Sequence, residues 1–269
     1  MKITASVLAI LFATSFAAHA ETASTPVAPA PELPLTTSIE VDVSKNTTTD
    51  KYVSNTTLKL DFDGKGPAFG GFDIKVTDGT ISLGDWQIGT TVASSTVSLG
   101  KQGDLFPDAG LEKVGSTTLA NPTVNESVMA KMGNLSAMAG FDGLSNDVTD
   151  LDNVQVAYDF KVGVIGMGAA VDWNTDTEEK SYGFSSSLDV SSNLSVGNTI
   201  TYAADKLAYE VNASTGAISY FANGDEDNKL QHVGAGIKGK LGGLDLYAEA
   251  SYDTDAEDLT PAIGASFKF

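Results

Sequence analysis

Ala262-Ile263-Gly264-Ala265-Ser266-Phe267-Lys268-Phe269 closes the chain, and Leu244-Asp245-Leu246-Tyr247-Ala248-Glu249-Ala250-Ser251-Tyr252 lies just before it. In the last segment Ile263, Ala265, Phe267 and Phe269 fall on one face. Ala262, Gly264, Ser266 and Lys268 fall on the other. In the earlier segment the apolar and small set Leu244, Leu246, Ala248, Ala250 and Tyr252 opposes Asp245, Tyr247, Glu249 and Ser251. Side chains of a strand alternate between its two faces, so a period of two marks a strand with unlike surroundings on its two sides. The apolar face is rich in small residues and suits lipid. The opposite face carries charges of both signs, and a packed core does not accept these unpaired.

The same reading extends upstream. Val154, Val156, Tyr158 and Phe160 oppose Gln155, Ala157 and Asp159; Leu58, Leu60 and Phe62 oppose Lys59 and Asp61; Ile39, Val41 and Val43 oppose Glu40 and Asp42. Many segments run to about ten residues, which is what a tilted strand needs to cross a bilayer. Sixteen strands are predicted between residues 36 and 269, or 14 if residues 77–93 are divided differently. Tight links at Gly133, Lys161, Ser191-Ser192, Ser214-Thr215 and Leu241-Gly242 are set against longer, acidic ones such as 143–152, 174–179, 223–228 and 254–258. Short turns at one end and long loops at the other characterise transmembrane barrels. The fold predicted is all-β, an antiparallel transmembrane barrel, because closure removes every strand edge.

Composition narrows the setting. Met1-Lys2, an apolar run from Val7 through Phe16 and Ala18-His19-Ala20 read as a signal peptide over residues 1–20, with cleavage between Ala20 and Glu21. Residues 21–35 are proline-rich, with Pro26, Pro29, Pro31 and Pro34, and read as an extended periplasmic tail. Residues 36–269 are then the barrel. The chain holds no cysteine, which excludes a disulfide framework and Cys-based zinc sites. Its formal charge of −19 argues against nucleic acid as a partner. Mean hydropathy is −0.02, and beyond residue 20 no apolar stretch approaches a transmembrane helix.

Three features resemble the Gram-negative general diffusion porins, which are trimeric 16-stranded barrels. The chain ends in alternating aromatics with a final Phe, so Phe267 and Phe269 are similar to the family's membrane-assembly signal. Ser95-Thr96-Val97-Ser98-Leu99-Gly100-Lys101-Gln102 resembles the strand that leads into the family's third loop. The connection over residues 103–123 is the longest and carries Asp104, Asp108 and Glu112. The resemblance implies that this third loop folds inward and narrows a water-filled pore. It also implies a homotrimer in outer-membrane lipid and lipopolysaccharide that passes ions and small polar solutes. In the family, arginines line the wall opposite; this chain has none. Alternation turns Lys59, Lys75 and Lys131 inward in their place, beside the wall acids Glu40, Asp42, Asp61 and Asp73. Acids outnumber lysines on the inward positions, so weak cation preference is expected.

Other chemistries find little support. His232 is the one histidine left after cleavage, with no serine near it in sequence, so catalysis is not expected. The run Asn223-Gly224-Asp225-Glu226-Asp227-Asn228 lacks the twelve-residue calcium-loop spacing and reads as a solvated loop tip. No metal constellation or phosphate loop appears, and no cofactor is called for. The rival readings are a structural or adhesive barrel with a filled lumen, a substrate-selective channel and a soluble secreted β-protein.

Overall fold

The computed structural model describes residues 35–46, 51–63, 67–107, 126–141, 151–227 and 230–268. The signal segment, most of the tail, Asp108, Glu112 and Phe269 lie outside the described residues. Sixteen strands follow one another: β1 (Leu35–Asn46), β2 (Lys51–Asp63), β3 (Ala68–Thr77), β4 (Thr80–Val92), β5 (Ser95–Lys101), β6 (Glu126–Met132), β7 (Leu135–Phe141) and β8 (Leu151–Val162). They continue as β9 (Ile165–Asn174), β10 (Lys180–Ser191), β11 (Leu194–Ala203), β12 (Lys206–Thr215), β13 (Ile218–Asp225), β14 (His232–Leu241), β15 (Leu244–Asp253) and β16 (Asp258–Lys268).

Each strand pairs antiparallel with the next, and β1 pairs with β16 through Ile39 opposite Phe267 and Val41 opposite Ala265. The sheet is therefore a closed barrel with no free edge. Sixteen strands, not 14, arise because Asp78-Gly79 makes a two-residue turn between β3 and β4. Both residues have positive φ, 48° and 82°, the backbone of a hairpin turn that matches strand twist.

Alternation decides what faces where. Val41, Val156, Tyr158, Ile237 and Ile263 are exposed on the outside, Ile263 at 60 %. Gln155, Thr199, Thr201, Glu210, Asn223 and Glu249 are buried inside, every one a polar residue. This distribution is inside-out relative to a soluble sandwich, whose apolar positions would be covered. Aromatics cluster outside near the strand ends: Tyr158 stacks on Phe160 at 5.9 Å, and Tyr182 meets Tyr202 at 6.4 Å.

Two details differ from the sequence reading. The tight turn at Gly133 stands where it was read, and the other four lie one or two residues further along, so Lys161 belongs to β8 and the turn is Gly163-Val164. The contrast between the two ends is also incomplete. Asp78-Gly79 and Ala204-Asp205 are two-residue turns at the end that carries the longer loops, with positive φ at all four residues, a backbone that Asp and Gly tolerate best.

Candidate functional site

The site is built where the connection after β5 leaves the wall. Gln102 is buried. Its side-chain carbonyl accepts from Ser98 Oγ at 2.6 Å, and its amide donates to the Ser127 carbonyl at 3.4 Å. These bonds turn the chain off β5 and into the barrel. Leu105 N–H then donates to Gln155 Oε1 on β8 at 2.7 Å. Asp104 Oδ1 accepts the N–H of Phe106 at 2.7 Å, a local turn that holds the carboxylate in place.

Phe106 is 5 % exposed and rests on the inner wall at Gly183 of β10. A Cβ added at Gly183 would lie 2.9 Å from Phe106 Cδ1 and 2.9 Å from Pro107 Cδ. Only glycine lets the loop approach this closely. The described start of the third loop thus runs inside the barrel, along the wall from β5 to β10.

On its other flank the loop borders a cavity of about 450 Å³. Lys59, Asp61, Asp73, Asp85, Lys101 and Asp104 line it. Lys59 sits opposite Asp73 across the β2–β3 pair, and Asp61 sits opposite Gly71. Lys75 Nζ approaches Asp85 Oδ2 at 3.5 Å. The structure therefore gathers Asp104, Lys59, Asp61 and Asp73 around one space, with Lys75 attached to it through Asp85.

The remaining expected residues stand elsewhere. Lys131 is the second-last residue of β6 and points inward near the turn end, outside this cavity. The direction of β6 explains it: the strand descends from the loop end, so its last residues lie far from the loop. Glu40 accepts from the Tyr247 hydroxyl at 3.4 Å and lines a second cavity of about 540 Å³ with Lys238, Lys240 and Asp245. Asp42 is buried and accepts from Asn55 Nδ2 at 3.0 Å. Phe267 lies on the outer face, 37 % exposed.

Asp85 escaped the sequence reading. Strict alternation from Leu83 puts it on the lipid face. A register shift opposite Asp73 brings it inward, because two residues of β4, Gly84 and Asp85, face one of β3. A carboxylate on the hydrocarbon parity next to a glycine was the available signal. His232 holds Asp253 Oδ2 through Nε2 at 3.3 Å and meets Asn223 Oδ1 through Nδ1 at 3.2 Å, so its ring is fixed at the loop rim. Among the described residues no cluster of three or more His, Asp or Glu is arranged to hold a metal ion.

No protein-family model and no curated protein sequence matches the chain. Solved structures do. One engineered variant of the porin from Rhodopseudomonas blastica superposes with a TM-score of 0.66 at 11 % identity, over 88 % of this chain and 100 % of that one. Two further variants of that porin give TM-scores of 0.64 and 0.65 over the same shares of each chain, again at 11 % identity. This is the porin fold. Within the porin fold, the expected inward third loop holds for its described part, residues 102–107.

Proposed function

We propose that the protein is an outer-membrane porin of a Gram-negative bacterium. It forms a water-filled channel for passive diffusion of ions and small polar solutes, and it performs no catalysis. The supporting observation is the third loop's start, carried inside a closed 16-stranded barrel whose inner face is mostly polar. A barrel of this size leaves an aqueous lumen where one of eight strands is filled by side chains. The chain is exported by a signal peptide cleaved between Ala20 and Glu21 and assembles as a homotrimer beside lipopolysaccharide, as the resemblance implies.

The constriction belongs to Asp104, Asp108 and Glu112 on the loop, against Lys59 and Lys75 on the wall, with Lys131 further down the lumen. Acids prevail on inward positions, Glu40, Asp42, Asp61 and Asp73 among them, and this favours weak cation preference. Purified protein in planar bilayers should give ohmic conductance steps in 1 M salt and a reversal potential of cation sign. Neutralising Asp104, Asp108 and Glu112 together should reduce that preference. A silent bilayer overturns the pore, and an anion-signed potential overturns the charge assignment.

A further inference from the structure

The two ends of the barrel are charged differently. Among the described residues, the connections at the loop end carry ten acids and no lysine, with Asp176, Glu178 and Glu179 in one loop and Glu226 and Asp227 in another. Among the described residues, the connections at the turn end carry no charge. Inside the wall the inward lysines lean the other way: Lys51, Lys75 and Lys206 stand at the loop end, Lys206 against Asp227 at 3.4 Å, and a larger group stands at the turn end. Lys131, Lys161, Lys238, Lys240 and Lys268 alternate inward within the last four residues of their strands at the turn end. Asp159, Asp189 and Asp245 stand near them, and Lys240 pairs with Asp245 at 3.0 Å. The turn end is therefore close to neutral, while the loop end is strongly negative. Between them Glu210 and Glu249 add acid to the mid-wall, and Lys59 stands there with Asp61 and Asp73.

We propose that this axial charge step makes the pore a current rectifier at low salt. The inference rests on the channel reading and adds a direction to it. An acidic zone admits cations and repels anions; a neutral zone carries both. When the loop side is positive, cations leave the acidic zone for the neutral one. Anions driven the other way are stopped at the boundary. Both ions accumulate there, and conductance rises. Reversed polarity sweeps both ions from the boundary, and conductance falls.

Screening sets the conditions. The Debye length is about 10 Å at 0.1 M salt and about 3 Å at 1 M, so fixed charges command the lumen only in dilute electrolyte. The test is the current–voltage curve of pores inserted from one chamber. In dilute salt the current at one polarity should exceed that at the other by about 1.5-fold or more, and the ratio should fall to one in 1 M salt as screening tightens. A variant with Asp176→Asn, Glu178→Gln, Glu179→Gln, Glu226→Gln and Asp227→Asn changes exposed loop positions and should flatten the curve. Lys131→Gln, Lys161→Gln, Lys238→Gln and Lys268→Gln together leave Asp159, Asp189 and Asp245 against Lys240 alone, make the turn end acidic and should also flatten it. Conducting pores with symmetric currents in dilute salt overturn the rectifier and leave the channel standing. A bilayer with no conductance overturns the channel reading itself, and the rectifier with it.

Discussion

Two stretches of the inner wall behave in opposite ways. Along β2–β4 the charged side chains stay open to the lumen: Lys59, Asp61 and Asp85 are exposed, and Lys75 is half-buried against Asp85. Along β8–β10 the wall is covered. Gln155 is fully buried beneath the loop, Gly183 lies under Phe106, and Asp172 is buried beside Gln155 and Asn153. The loop rests where amides and a glycine can receive it, and it leaves bare the wall whose charges are exposed. In the proposed channel, water and solutes would run along the charged side. A loop placed over Lys59 and Asp61 would instead have to desolvate both, at a cost of several kcal/mol per ion.

The strongest way to break this contrast is Gly183→Leu. Forcing a side chain into the contact with Phe106 and Pro107 should cost the packed loop about 1–3 kcal/mol. The loop should leave the wall, and single-channel conductance should rise while the barrel still migrates as folded on heat-modifiable gels. Gln155→Leu comes next. It leaves the Leu105 N–H without its acceptor, at about 1–3 kcal/mol for a buried donor, shared here with water that reaches the loop. Gating noise in single-channel records should increase, and Gln155→Glu, which keeps an acceptor, should stay quieter.

On the other wall the expected changes are smaller and electrostatic. A unit charge about 8 Å from a passing ion in water contributes roughly 0.5 kcal/mol before salt screening. Lys59→Gln with Lys75→Gln should therefore raise the cation-to-anion permeability ratio by about twofold or more, read from reversal potentials in a salt gradient. Asp85→Asn should shift the ratio the opposite way and by less. Its loss unmasks Lys75, while the exposed pair itself is worth about 0–1 kcal/mol to stability. Should the two walls respond alike to neutralisation, the loop does not divide the lumen as described.

Much of the barrel was legible in the chain. Alternation over segments such as 154–160 and 244–252 identified strands and told the outer face from the inner. The tight links gave their order. The small errors were in turn positions, where the flanking residues share polarity and alternation gives no boundary, as at Lys161. The site was legible only in part. Asp104 stood out as an acid in the longest connection, and Lys59, Asp61 and Asp73 followed from parity. Gln155 and Gly183 did not stand out, because a buried acceptor for a loop N–H looks in sequence like any other inward polar residue.

By itself the sequence determined which side of each strand meets water, because a period of two is written directly in the order of residues. It also determined the net charge and where along the chain the acids concentrate. Only the tertiary structure decided which inward residues share a space. The stagger of the strands, the bulge at Gly84-Asp85 and the path of the loop set that, and each depends on contacts between residues far apart in the chain, such as Leu105 with Gln155.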